Sequence, residues 1–356
     1  MAHALRLALV VTLMALSACG RPVGPGTGEG PDGGPDVPGV LGGRCTVDGF
    51  CNDPLVCVDN VCVEIPAAEG EGEGEGEPGE GEGEGEPPAC ADGDDDNDGS
   101  CNGVDCDDAN GSVHPGAEER CDDVDNNCNG QKNDLLDCTF VAHDRDALYA
   151  IDPFAQTIER LTGVSLLGNA SMLDIDIDTD GTILTVTEDG IYEVTSSGTL
   201  VEVADLPAPA GTNGMAINDG GELFLTTSDG NDSAAYKVDR TVSPPSLIEV
   251  GGFSNNQVSS GDCVFTKTGD LLMSIRSPIS LTAPDTLVEV DVETGATTTI
   301  GPMGQKNVYG LSASFGFLFG VNSDGRILRI EAATGASTVV FTTPTTVRFN
   351  GAANGD

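Results

Sequence analysis

The sequence predicts a mainly β protein. Its larger part reads as a β-propeller of five blades, or six if one blade escapes the repeat, preceded by small disulfide-rich modules and disordered linkers. Three observations carry this expectation. From Thr139 onward the chain is rich in Val, Ile, Leu, Thr and Gly, with turn signals at short intervals, the pattern of many short strands. The turn glycines Gly181, Gly221, Gly269 and Gly316 lie 40, 48 and 47 residues apart, which is the period of a four-stranded blade. All but one of the 12 cysteines precede Thr139, in stretches too poor in apolar residues to build an oily core, so disulfides or bound cations must hold them.

A chain of 356 residues with this unevenness suggests several modules: 1–18, 19–43, 44–65, 66–88, 89–138 and 139–356. The net charge is -44 and no basic patch interrupts it, which excludes nucleic acid as a ligand. Such a surface repels anionic lipid and attracts cations.

Residues 1–18 read as an export signal, with Arg6 ahead of an apolar run too short to span a bilayer. The signal ends Leu16-Ser17-Ala18-Cys19, which resembles the lipobox of bacterial lipoproteins; an ordinary secretory signal cut near Ala18 is the competing reading. The resemblance implies acylation of Cys19, a lipid anchor in the membrane and, because Gly20 rather than Asp follows, the outer membrane or cell surface of a Gram-negative bacterium. Residues 19–43 form a Gly/Pro-rich tether. Cys45, Cys51, Cys57 and Cys62 then fall within 18 residues and predict two disulfides in an oxidising compartment. The alternative, a four-thiolate zinc site, lacks the Cys-x2-Cys knuckle. Residues 66–88, mostly Glu-Gly repeats, predict an extended, self-repelling spacer.

The block 89–138 combines Cys90, Cys101, Cys106, Cys121, Cys128 and Cys138 with a dense set of aspartates. Asp94, Asp96, Asp98 and Asp105 stand at positions 1, 3, 5 and 12 of a calcium loop, with Gly99 at position 6 for the sharp turn. A second, weaker copy is Asp125, Asn127, Asn129 and Gly130; its position 12 is Leu136, so Asp134 is the candidate for the missing carboxylate. The order Asp105-Cys106-Asp107-Asp108, His114-Pro115-Gly116-Ala117-Glu118, Cys121-Asp122, Asp125-Asn126-Asn127-Cys128-Asn129-Gly130 resembles the metal-binding repeat of MopE-related bacterial surface proteins. Copper is linked to that family's name, but hard oxygen ligands suit Ca2+ better, with another divalent metal as the alternative. Asn127, Asn129 and Asn133 replace the family's usual Asp and imply weaker binding in the second loop. His114 beside Pro115 reads as a loop residue, and a disulfide-bonded acidic linker that attracts cations diffusely is the bland alternative for the whole block.

In 139–356, residues 173–194, 214–238, 260–275 and 309–330 share one plan, and each unit should give four strands. Residues 139–162 supply three strands without a leading one. Asn350-Gly351-Ala352-Ala353 parallels the leading Asn213-Gly214-Met215-Ala216, so the last blade should be stitched from both ends of the domain, leaving no free sheet edge. The repeat resembles NHL, YVTN and gluconolactonase-like propellers; with no Trp in the chain, the Trp-Asp repeat is excluded. The last of these families holds a channel metal on Glu, Asn and Asp side chains. That makes Asp174, Asp176, Asn213, Asp262 and Asn350, near the starts of innermost strands, candidates for a channel site, or simply polar groups at strand entries. Cys263 in a strand-like run reads as a buried, inert thiol. Two functions stand open: a non-catalytic, calcium-dependent surface lipoprotein whose propeller binds a protein or glycan ligand, and a metal-dependent lactonase or esterase working in the channel.

Overall fold

Each turn glycine of the repeat closes an antiparallel hairpin, and the hairpins assemble into five four-stranded blades. The computed structural model describes residues 93–355, except 166–170, 206–208, 210, 229–232, 277–279, 281 and 345–346, together with the backbone of β1 (Leu55–Val58) and β2 (Val61–Glu64). The export signal, Cys19, the tether, Cys45, Cys51, the Glu-Gly spacer and Cys90 lie outside the described residues. The chain divides into two units at Glu84/Gly85, within the Glu-Gly repeats. In the first unit β1 and β2 form a hairpin with Cys57 opposite Cys62.

The second unit contains the propeller. The last blade begins the chain's β3 (Phe140–His143), β4 (Ala147–Asp152) and β5 (Thr157–Gly163). Blade 1 follows as β6 (Asp174–Ile177), β7 (Ile183–Val186), β8 (Ile191–Val194) and β9 (Leu200–Ala204). Blade 2 is β10 (Thr212–Ile217), β11 (Leu223–Thr227), β12 (Ala234–Asp239) and β13 (Ser246–Gly252). Blade 3 is β14 (Val258–Phe265), β15 (Leu271–Arg276), β16 (Thr286–Val290) and β17 (Thr297–Pro302). Blade 4 is β18 (Val308–Ser314), β19 (Phe317–Asn322), β20 (Arg326–Ile330) and β21 (Ser337–Thr342). Finally β22 (Gly351–Ala353) pairs with β3, Gly351 opposite His143, and completes blade 5 in the order β22-β3-β4-β5. The expected stitching of both ends of the domain into one blade is therefore present, and the count is five. The innermost strands pack on one another as β6, β10, β14, β18, β22 and back to β6.

The repeat extends to details of local geometry. In all five blades the third strand's pairing with the fourth shifts register near the start of the third strand, at Ile191/Tyr192, Ala235/Tyr236, Leu287/Val288, Ile327/Leu328 and Leu148/Tyr149. A bulge at this point increases strand twist, which lets a flat hairpin pair become a propeller blade. Three blade junctions also bring backbone against backbone. A Cβ on Gly198, Gly295 or Gly335 would lie 2.0, 2.3 or 2.4 Å from the carbonyl oxygen of Gly163, Gly251 or Gly301 in the neighbouring blade.

Apolar side chains fill the wedges between blades. Without Trp, phenylalanine supplies the bulk: Phe140, Phe319 and Phe349 are fully buried where blades 4 and 5 meet, with Phe140 stacked on Phe319 at 5.6 Å and Tyr149 edge-on to Phe349 at 6.0 Å. Removing residues 347–356 strips out β22 and Phe349 together. We expect that chain to lose the cooperative melting transition of the propeller; an unchanged transition by calorimetry would show that the ring does not need its closing strand.

Candidate metal centre

The block from Gly93 to Cys138 has no strand or helix among its described residues, and Val113 is its one buried aliphatic side chain. Covalent bridges replace the missing core. Cys106 joins Cys128 and Cys121 joins Cys138, and Cys101 is disulfide-bonded as well. Closing loops of 22 and 17 residues restricts the unfolded chain by roughly 3 kcal/mol each. The second bridge ends two residues before β3, so the block is tied to the first strand of the propeller.

In the first loop each aspartate spends one oxygen on the turn. Asp94 Oδ2 accepts the Gly99 N–H at 3.1 Å, Asp96 Oδ1 that of Asp98 at 3.3 Å, and Asp98 Oδ1 that of Ser100 at 2.7 Å. Gly99, at a φ of 96°, makes the sharp turn that brings them round. The remaining oxygens, Asp94 Oδ1, Asp96 Oδ2 and Asp98 Oδ2, are shielded from solvent and have no hydrogen-bond partner. The three carboxylates each present an oxygen within 4.8 Å of the others. Desolvation pushes the Asp96 carboxyl above its usual range, and the charges of Asp98, Asp105 and Asp94 add to it. Three anionic oxygens held this close without a donor fit a hard divalent cation. Asp105 stands at the margin: it acts on Asp96 electrostatically but falls outside the tight triad, with Oδ1 accepting the Asp107 N–H at 2.8 Å. It also lies beside Cys106 and Cys128, whose sulfurs are joined and so supply no thiolate to a metal.

The second loop repeats the frame but not the charge. Asp125 Oδ2 accepts the Gly130 N–H at 2.7 Å, the counterpart of Asp94 and Gly99. Asn129 Nδ2 donates to both oxygens of Asp134 at 3.2 Å and Asn127 Nδ2 to one of them at 3.4 Å. Asp134 thus converges with Asn127 and Asn129, and carboxamide donors meet its charge where the first loop has only acceptors. Glu119 was not singled out from sequence, yet it organises this loop: Oε1 accepts the Asn127 N–H at 2.9 Å and Oε2 that of Asn133 at 2.8 Å. Its only sequence signal was its place between the Pro-Gly turn and Cys121. His114 contacts the Pro115 carbonyl at 3.2 Å through Nδ1 and joins no ligand cluster among the described residues.

The channel candidates occupy a different environment. Asp174, Asp176 and Asp262 are buried on innermost strands and accept backbone N–H groups of other blades. Asp174 Oδ2 takes Met215 N–H at 2.7 Å, Asp176 Oδ2 takes Ile217 N–H at 2.6 Å, and Asp262 Oδ2 takes Leu311 and Ala352 N–H at 2.7 and 3.2 Å. The charge of Asp262 also acts on Asp174. Burial pushes both well above the usual carboxylate range and Asp176 to about 7. His143, fully buried, has its Nε2 3.7 Å from Asp174 Oδ1; desolvation lowers it to about 4, so it is neutral. Asn213 Nδ2 reaches the Ser259 carbonyl at 3.4 Å, and the backbone N–H of the half-buried Asn350 donates to the His143 carbonyl at 2.9 Å. Asp174, Asp176 and Asp262 belong to no cluster of three His, Cys, Asp or Glu ligands among the described residues, and Asn213 Oδ1 is buried without a hydrogen-bond partner; the three carboxylates act as staples between blades. Cys263 is a buried free thiol, as expected.

Residues 105–134 match the family model Cu-binding_MopE, described as "Putative metal-binding motif". The chain therefore carries a metal-binding motif followed by a five-bladed propeller. The first aspartate triad lies just ahead of the matched stretch. A comparison with curated protein sequences gives no match. Among solved structures, a protein of unknown function from Bacteroides caccae is 13% identical, with a TM-score of 0.39 over 59% of this chain and 76% of that one. A streptogramin B lyase is 14% identical, TM-score 0.36, over 58% and 70%. A catalytically inactive virginiamycin B lyase from Staphylococcus aureus, solved with quinupristin, is 16% identical, TM-score 0.36, over 60% and 73%.

The axis leaves no room for added bulk at Gly351, where a Cβ would lie 1.9 Å from Asp174 Oδ1 and 2.5 Å from His143 Nε2. Gly351→Ala should destabilise the propeller by about 1–3 kcal/mol or more in chemical denaturation. Metal binding by the acidic block should be unchanged in titration calorimetry.

Proposed function

We propose that this is an exported protein, lipid-anchored through Cys19 at the outer membrane or cell surface. In this reading the acidic block binds calcium and the propeller is a non-catalytic platform for a protein or glycan ligand. The observation that carries the calcium reading is the set of three shielded, partnerless oxygens from Asp94, Asp96 and Asp98. An empty triad of this kind is self-repelling, so cation binding and ordering of the loop are coupled. The anchor reading rests on Leu16-Ser17-Ala18-Cys19 and the tether after it. Multiple acyl chains hold a protein to a membrane where one chain is marginal.

The non-catalytic reading is supported by the use already made of the channel carboxylates. A lactonase or esterase metal in the channel would need Asp174, Asp176 and Asp262 to give up backbone N–H groups that join the blades. The same use of the channel carboxylates favours the acidic block as the cation site.

Calorimetric titration of the oxidised protein with calcium should give a dissociation constant on the order of 0.1–1 mM, the range of extracellular modules. Asp96→Ala or Asp98→Ala should abolish the tighter site, whereas Asn129→Ala should leave it intact. Unchanged calcium binding in the Asp96/Asp98 double variant would remove the loop assignment. For the anchor, Cys19→Ala should move the protein from the membrane fraction to the soluble fraction and remove acyl mass from the mature chain; continued membrane fractionation would refute it.

A further inference from the structure

The innermost strands all begin at one end of the ring, its leading face, and the few bases of this acidic chain are used differently at the two ends. Arg276 ends β15 opposite Val258, Lys306 lies between β17 and β18, Arg326 begins β20, and Arg348 lies between β21 and β22, so all four stand on the leading face. They are 30, 20 and 22 residues apart, so no basic run appears in the chain read in order. Hydrogen bonds knit their loops together. The Asp285 N–H donates to the Gln305 carbonyl at 2.7 Å, Arg326 Nη1 to Gln305 Oε1 at 2.7 Å, Asn307 Nδ2 to Ser323 Oγ at 3.1 Å, and the Thr343 N–H to the Gly325 carbonyl at 2.9 Å. At the opposite end Lys237, Arg240 and Arg329 are neutralised by Glu222, Asp178 and Asp123. Among the described residues, none of the four leading-face bases is held in an ion pair. The carboxylates beside them are Asp285, buried and engaged by the Ser260 hydroxyl at 2.7 Å and the Val308 N–H at 2.8 Å, and the exposed Asp324.

The same end holds unspent hydrogen-bonding capacity. Asn213 Oδ1, Ser259 Oγ and Asn322 Nδ2 are shielded and have no partner, and Ser259 and Asn322 are 0% exposed. Asn213 and Ser259 are the second residues of β10 and β14, and Asn213 Nδ2 reaches the Ser259 carbonyl at 3.4 Å. Asn322 pairs with Val308 at the start of β18, and its Oδ1 accepts the Arg326 N–H at 3.0 Å, which fixes the free amide beside that base. Polar groups left unpaired just beneath a surface are costly unless a ligand, or water that it orders, reaches them. Both kinds of group are present, acceptor and donor, which suits hydroxyls, since a hydroxyl does both. Tyr309, half-buried against Gly261, adds an aromatic ring at the same level. No large exposed apolar side chain lies on the described residues of 303–308, 323–326 or 343–350, so a lipid surface or an apolar peptide has nothing to dock on there.

We propose that the leading face binds an acidic polysaccharide. Its carboxylates meet Arg276, Lys306, Arg326 and Arg348, its hydroxyls and their waters meet Asn213, Ser259 and Asn322, and Tyr309 takes the flat side of a sugar ring. This rests on the platform reading above and names the ligand. Arginine pairs with carboxylates through two hydrogen bonds, and an unpaired basic patch on a chain of net charge -44 gives an anionic polymer its one favourable approach.

The test is calorimetric titration of the full-length oxidised protein with polygalacturonate oligomers, neutral dextran oligomers and a DNA oligonucleotide. Calcium-free buffer prevents calcium from bridging the acidic block to the polymer. Polygalacturonate should bind and the other two should not. The Lys306→Gln/Arg348→Gln double variant should bind it roughly tenfold more weakly or worse, with an unchanged melting transition because both side chains are exposed. Lys237→Gln, at the opposite end, should bind as the wild type does. An unchanged affinity in the double variant, equal binding of the DNA, or no binding of polygalacturonate would each overturn the proposal. Binding of dextran alone would overturn it while the platform reading stands, whereas hydrolysis of an added lactone would strike the platform reading itself.

Discussion

A five-bladed ring must solve the crowding of five innermost strands at one axis. At the level of the central carboxylates this chain places two aspartates, Asp174 and Asp262, and three glycines, Gly214, Gly310 and Gly351. The glycines vacate the space that the carboxylates fill: a Cβ on Gly351 would sit almost on Asp174 Oδ1, and one on Gly310 would lie 2.8 Å from the Gly351 carbonyl carbon. Each carboxylate then reaches past a glycine to the N–H of the next residue, at Met215, Leu311 and Ala352. Innermost strands have one edge without a strand partner, and unpaired N–H groups there are costly when buried. The aspartates satisfy those groups and join the blades with one set of bonds.

Carboxylates serve the acidic block under opposite conditions. There they stay near water, on turns stapled by disulfides, and keep one oxygen of each triad member unpaired. In the core the carboxylates meet backbone N–H donors; in the block they leave room for a cation. The second loop lies between these cases. Its Asn127 and Asn129 supply amide donors to Asp134, so it can hold its shape without a metal, whereas the first loop has no internal donor for its three free oxygens.

The two parts are also joined physically. Arg329 of blade 4 stacks its guanidinium 3.9 Å from the Phe317 ring centre and pairs with Asp123 of the block at 2.8 Å. Both partners are partly exposed, so the ion pair contributes little by itself. Together with the Cys121–Cys138 bridge beside β3, it gives the block two points of attachment to the propeller.

The sequence by itself determined whatever depends on near neighbours. The blade period is legible because a hairpin turn needs a residue that accepts positive φ, and Gly181, Gly221, Gly269 and Gly316 supply it at regular intervals. The closing strand is legible because Asn350-Gly351-Ala352-Ala353 copies the start of another blade. The aspartate triad is legible because its members are two residues apart on one turn. Tertiary structure alone decided what the central aspartates do, because their partners lie 41, 49 and 90 residues away on other blades, and no local spacing encodes which N–H group will face them. It also decided the marginal place of Asp105 and the organising role of Glu119, since both depend on how disulfides fold the block back on itself. A carboxylate on an innermost strand looks the same in sequence whether it faces a cation or a backbone donor. Only the approach of the next blade distinguishes the two.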